Sequence, residues 1–248
     1  MTDNLIFWLP LASLIGAYIS AVAGMGGGLV ILGACTFLLP IQAAVPVSGV
    51  LVMAGQVART GQFYHHINWS ITKPFIPGSF VGAVLGSFIY FSLPELVIAF
   101  MLATVMLWFI WLPPKQLGKS LANKIPHPYF WVGIIHTFIS TIAGVGGLFQ
   151  SLMVNSSMRK EQIVATIAGT LISMSAFKTI GYMVAGFNYM PYLLMIILCW
   201  IVGILGSRLG KKTLNNVSDE FFRKLIKGMV TVFSLRLYFG VIQALLNS

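Results

Sequence analysis

The sequence predicts an all-α integral membrane protein built from two inverted repeats, each a broken, re-entrant helical hairpin plus three transmembrane helices. Three observations predict it: an apolar composition, two glycine clusters at matching places in the two halves, and a one-sided distribution of Lys and Arg. The 248 residues are 58% hydrophobic and 8% charged, with a mean hydropathy of +0.91. A soluble domain carries about 25% charged residues, so this chain cannot cover a water-facing surface. The apolar runs are continuous rather than ten-residue alternations, which excludes a β-barrel. They are too many and too long for a signal peptide, and no charged n-region or small-residue cleavage site opens the chain.

Taken in order, the expected helical segments are Leu5–Ala23, Leu29–Leu39, Val45–Tyr64, Pro74–Phe91 and Glu95–Leu112, then Pro128–Ala143, Leu148–Met158, Gln162–Ala185, Met190–Leu209 and Phe221–Leu245. A span needs about 20 apolar residues. The second and seventh segments are too short to cross, and each directly follows glycines: Gly24-Met25-Gly26-Gly27-Gly28 and Gly144-Val145-Gly146-Gly147. Glycine inside a helix costs roughly 1 kcal/mol relative to alanine, so each cluster is read as a stop, a turn and a restart. The expected organisation is a first membrane repeat over residues 1–112, a basic cytoplasmic linker over 113–127 and a second repeat over 128–248.

The basic residues choose between a kinked crossing and a hairpin at each cluster. With hairpins, Arg59, Lys73, Lys115, Lys119, Lys124, Arg159, Lys160, Arg208, Lys211, Lys212, Arg223, Lys224 and Lys227 all fall on one side. With simple crossings they split between both. Lys and Arg gather in cytoplasmic loops, which favours hairpins and puts both termini outside the cytoplasm. Three full spans per half then invert the second half relative to the first. The clusters lie 120 positions apart (144 − 24), and at that offset Gly49 matches Gly169, Gly61 matches Gly181 and Leu85-Gly86-Ser87 matches Leu205-Gly206-Ser207. Inverted repeats with broken helices are characteristic of secondary transporters.

A helix that restarts exposes backbone N–H groups and partial positive charge, a setting that suits an anion. The alternative is close helix packing, which is the expected role of Gly49, Gly82, Gly86, Gly203 and Gly206. Arg59 and Lys178 stand within spans, at near-equivalent places in the two halves; they either snorkel to headgroups or face the pathway. Arg236 lies deep in the last span, where it pairs with carbonyls or faces the pathway. Asp3, Glu95, Glu161, Asp219 and Glu220 all fall at segment ends, which argues against a carboxylate proton relay or a cage for a cation. His136 is expected to be a hydrogen-bonded packing residue, with a proton carrier as the alternative. Gln56, Gln150, Asn155, Ser173 and Ser175 are candidate neutral donors. The expected substrate-binding set is therefore Gly24, Met25, Gly26, Gly27, Gly28, Gly144, Val145, Gly146, Gly147, Gln56, Arg59, His136, Gln150 and Lys178.

Cys35 and Cys199 sit in apolar runs with no metal or disulfide spacing, and His65-His66 lacks further ligands. No motif for catalysis, ATP hydrolysis or a cofactor is present, so an enzyme is not expected. The formal charge of +10 is read as loop asymmetry rather than nucleic-acid binding.

Ala21-Val22-Ala23-Gly24-Met25-Gly26-Gly27-Gly28, its echo Ile142-Ala143-Gly144-Val145-Gly146-Gly147, the stretch Gly61–Trp69 and the run Pro77-Gly78…Gly82…Gly86 resemble the TauE/SafE family of sulfite and organosulfonate exporters. The resemblance spans almost the whole chain. It implies ATP-independent transport of a small sulfur-containing anion such as sulfite, sulfoacetate or thiosulfate, in the bacterial inner membrane. The chain departs from the family pattern at Leu148 and at Phe149-Gln150, which leaves the substrate open. An anion channel, or a membrane subunit that delivers a sulfur species to an enzyme, are the alternatives. The expected partners are the anion and the bilayer, with a homodimer allowed.

Overall fold

The computed structural model describes residues 3–23, 26–112, 126–144, 146, 148–154, 158–213 and 219–246. The first half contains α1 (Asp3–Ala23), α2 (Gly27–Leu38), α3 (Ile41–Phe63), a 3-10 turn (Tyr64–His66), α4 (Trp69–Ser92) and α5 (Glu95–Trp111). The second contains α6 (Pro128–Ala143), α7 (Leu148–Val154), α8 (Lys160–Val184), a 3-10 turn (Met190–Tyr192), α9 (Leu193–Thr213) and α10 (Asp219–Leu246). No strand occurs among the described residues.

Local chemistry explains where the helices depart from expectation. α3 begins at Ile41 rather than Val45, behind the extended Pro40 (φ −52, ψ 141). α4 begins at Trp69 rather than Pro74 because Asn68 caps it, its side-chain oxygen accepting the Ser70 N–H at 3.1 Å. Five helical stretches are long and apolar enough to cross a bilayer: Ile41–Gly61, Trp69–Ser92, Glu161–Val184, Met190–Gly210 and Lys224–Leu246. α5, expected as a full span, has 17 residues, the lower limit for crossing. Large apolar side chains such as Phe80, Phe88, Leu194, Val232 and Phe239 stand exposed on the outer surface, as lipid-facing residues do. The chain is a multi-pass membrane protein.

Contacts fix the helix directions. α2 runs back along α1, with Ile31 against Gly16 and Gly27 against Ser20. α3 and α8 are antiparallel neighbours: Asn68 N–H, just beyond α3, bonds Thr166 Oγ1 near the start of α8, and Tyr189, just beyond α8, reaches the Pro46 carbonyl near the start of α3. α5 and α10 are also antiparallel, through Thr104–Tyr238 and Trp111–Thr231. α6 packs parallel to α4, and α9 parallel to α1.

Those two parallel pairs are glycine seams. A Cβ on Gly82 would strike the Ile134 carbonyl, and one on Gly206 the Leu14 carbonyl. Gly86 lies on Phe138 and Thr141, and Gly210 on Tyr18 and Ala21. Small residues let helix backbones approach this closely. Gly49, expected to serve the same purpose, meets nothing within 4 Å, so close packing does not explain it. Ile134 and Leu14 correspond at the 120-residue offset, as do Phe138 and Tyr18. The packing counterpart of Gly206 is therefore Gly82, not the Gly86 that the matched three-residue string suggests: the two seams differ from the string's register by one helical turn.

Candidate functional site

At the first break Gly26 adopts the left-handed conformation (φ 95, ψ −23) that glycine tolerates best. Its carbonyl accepts from Leu29 N–H at 3.0 Å and Val30 N–H at 3.2 Å. α2 thus restarts at Gly27, not after Gly28 as expected, because the chain reverses at residue 26. Gly24 and Met25 lie outside the described residues. Gly27 is pressed on Ser20 and the Gly16 carbonyl with no room for a Cβ, whereas the nearest atom to a Cβ on Gly28 is 3.7 Å away on Val52. Arg59, one helix along, reaches back to this break: its Nη1 donates to Ser20 Oγ at 2.9 Å. Gly16, Ser20, Gly27, Gly28, Arg59 and Ser207 line a cavity of about 20 Å³, roughly the room of one water.

The second break repeats the arrangement with different residues. α6 ends on left-handed Gly144 (φ 69). Lys178 does not snorkel. It is 4% exposed, and its ammonium donates to the Ser140 carbonyl at 2.8 Å and to Ser140 Oγ at 3.1 Å. His136 is fully buried one turn before Ser140. Its Nδ1 accepts the Phe149 N–H at 3.5 Å, while its Nε2 has no partner among the described residues. The ring lies against Gly146, where a Cβ would come 3.0 Å from Nε2. Gln150 keeps a buried, unpartnered Oε1. Val145, Gly147 and Asn155 lie outside the described residues. α7 has seven residues, and His136 engages the Phe149 amide in its first turn, so that amide of the helix start expected near Leu148 is already taken.

Gln56 and Ser175 join the two settings. Ser175 Oγ donates to Gln56 Oε1 at 3.0 Å, between α3 and α8. Arg59 follows Gln56 by three residues, and Lys178 follows Ser175 by three. Because the helices are antiparallel, the two cations leave this bond in opposite directions. A Cβ on Gly26 would meet Ile226 of α10, while one on Gly144 would meet Leu32 of α2 and Val45 of α3, so the second break packs on the short limb of the first hairpin. Arg236 stands apart. It lies over the Phe37 ring at 3.6 Å, bonds the Thr36 carbonyl at 3.4 Å and lines a separate cavity of about 290 Å³ with Glu95.

Among the described residues neither Arg59 nor Lys178 has a carboxylate partner. An unpaired cation away from water is costly, and each is held here only by neutral oxygens. Sequence reasoning missed both serines. Their signal was present: Ser20 and Ser140 each precede the first glycine of a cluster by four residues.

The family model described as "Sulfite exporter TauE/SafE" matches residues 9–237. Comparison with curated proteins and with solved structures finds no match.

Proposed function

The chain belongs to the sulfite exporter TauE/SafE family, and on that premise we propose that it is a secondary transporter exporting a small sulfur oxyanion, such as sulfite, an organosulfonate like sulfoacetate, or thiosulfate. One observation carries the reading: two cations, each beside a glycine break and hydrogen-bonded to a serine of its own half, with no carboxylate among the described residues to neutralise either. An anion offers the missing charge. The binding set comprises Arg59, Lys178, the glycine breaks and the His136 and Gln56 side chains, and the linker over 113–127 joins two repeats that form one transport unit.

Alternating access between inverted repeats is the proposed mechanism. It draws support from the reciprocal pairings of α1 with α9 and α6 with α4, and from the opposite directions in which the hairpins open. The narrow cavity at Arg59 favours rocking over a standing channel. The proposed location is the bacterial inner membrane, with both termini outside the cytoplasm. Trp69, Trp111 and Trp131 lie exposed near helix ends that carry the basic loops, as interfacial aromatics do.

Anion flux into proteoliposomes tests this reading. Losing a charged hydrogen-bond donor costs roughly 1.5–3 kcal/mol, so Lys178→Ala lowers flux by about tenfold or more, while Lys119→Ala in the linker leaves it near wild type. Equal effects overturn the site. Topology is read separately from Gln42→Cys. External thiol reagents label it if the hairpin holds, against a low background, since Cys35 and Cys199 are buried.

A further inference from the structure

The two glycine breaks hold separate cations. Each cation is committed to its own half: Arg59 to Ser20, and Lys178 to Ser140. The serines are counterparts at the 120-residue offset, and each belongs to the helix that runs into its glycine break. Between the two cations the bond from Ser175 to Gln56 ties α3 to α8. Three residues beyond that bond on each antiparallel helix, the cation-bearing backbone positions lie about 9 Å apart along the helix axes at 1.5 Å per residue.

Both settings carry a second sign of a ligand. Beside Arg59 there is a polar cavity lined by Ser20 and Ser207, of about 20 Å³, which has room for one water and admits an oxyanion only when the helices around it open. Beside Lys178 there is a buried imidazole whose Nδ1 is an acceptor, so the neutral ring carries its hydrogen on Nε2, and that nitrogen has no partner among the described residues. Buried donors are nearly always satisfied, and an oxyanion lying against Ser140 and Lys178 would satisfy this one.

We propose that the pathway holds two successive oxyanion positions, one per half, formed by Arg59 with Ser20 and by Lys178 with Ser140 and His136, and that the Gln56–Ser175 hydrogen bond is the gate between them. This rests on the anion-exporter reading and refines it. The anion moves from one cation to the other when α3 and α8 shift enough to open the bond, and each half can then close behind it.

Equilibrium binding of radiolabelled sulfite to the purified full chain in detergent tests the stoichiometry, alongside sulfite flux in proteoliposomes. Wild type binds two sulfites per chain. Arg59→Met and Lys178→Met each bind one, with folding verified by size-exclusion chromatography. Ser175→Ala keeps two and raises flux at least twofold, because it removes the donor of the gate and touches neither cation. One sulfite per wild-type chain with normal flux overturns the two-position proposal and leaves the exporter reading standing. No binding and no flux overturn both. Complete loss of binding in either single variant means one shared site, and unchanged flux in Ser175→Ala removes the gate. The wild-type stoichiometry decides the matter even where a variant fails to fold.

Discussion

The Arg59 setting and the Lys178 setting are built alike and filled differently. Each places a basic side chain from the third helical segment of its half on a serine four residues before a glycine break. The position one turn before that serine is Gly16 in the first half and His136 in the second. Gly16 carries no side chain and packs directly on Ile31 and Gly27 beside a small cavity, whereas the His136 imidazole lies against Gly146 and takes up the Phe149 amide. Arg59 holds Ser20 through the hydroxyl, while Lys178 also holds the Ser140 backbone carbonyl, which no side-chain change removes. The two settings share their electrostatics, a cation on a serine one turn before a glycine, and differ in what fills the space beside it.

The sharpest way to break the comparison is at the glycines. Gly27→Ala drives a methyl into the Gly16 carbonyl and Ser20. Backbone cannot yield there, so a loss of roughly 3 kcal/mol or more is expected, seen as little folded protein. Gly28→Ala, one residue on, meets only ordinary contact and folds normally. If both variants fold equally well, the hairpin is not packed as described.

His136→Gly makes the second setting resemble the first. Removing a fully buried ring should lower stability by on the order of 3 kcal/mol, read as a lower melting temperature in detergent. Added imidazole should restore part of that temperature by filling the vacated space. No recovery with imidazole means that the ring's role is not local filling.

A smaller contrast separates the serines. Ser20→Ala leaves the Arg59 guanidinium without its hydroxyl partner and is expected to cost about 1–3 kcal/mol. Ser140→Ala should cost less, because the Ser140 carbonyl still holds Lys178. Thermal stability and flux of the two variants give the ordering, and a reversed order contradicts it. Smallest of all, Gly49→Ala meets open space and should be neutral or stabilise by up to about 1 kcal/mol through helix propensity.

Much of this was legible along the chain. The broken helices, their short second limbs and the helix limits to within a few residues follow from where glycine interrupts apolar runs. Arg59 and Lys178 stood out because charge is rare inside a span. The pairings were not legible. Lys178 meets a serine 38 residues away, and Arg59 one 39 residues away. The string Leu85-Gly86-Ser87 pointed to Gly206 as the counterpart of Gly86, yet packing assigns that place to Gly82. These helices are apolar nearly all round, so their patterns do not say which face turns inward.

By itself the sequence determined the solvent this chain requires, the two places where its helices must break and the absence of carboxylates between the ends of its spans, because each of these follows from local composition and backbone preference. Only the tertiary structure decided that the second break packs on Leu32 of the first hairpin's short limb, that each cation is bonded to a serine of its own half and that Gln56 meets Ser175. Those outcomes depend on how far each helix slides and turns against its neighbours. Backbone contacts at Gly82, Gly206 and Gly27 set that distance, and they exist only once the helices are assembled.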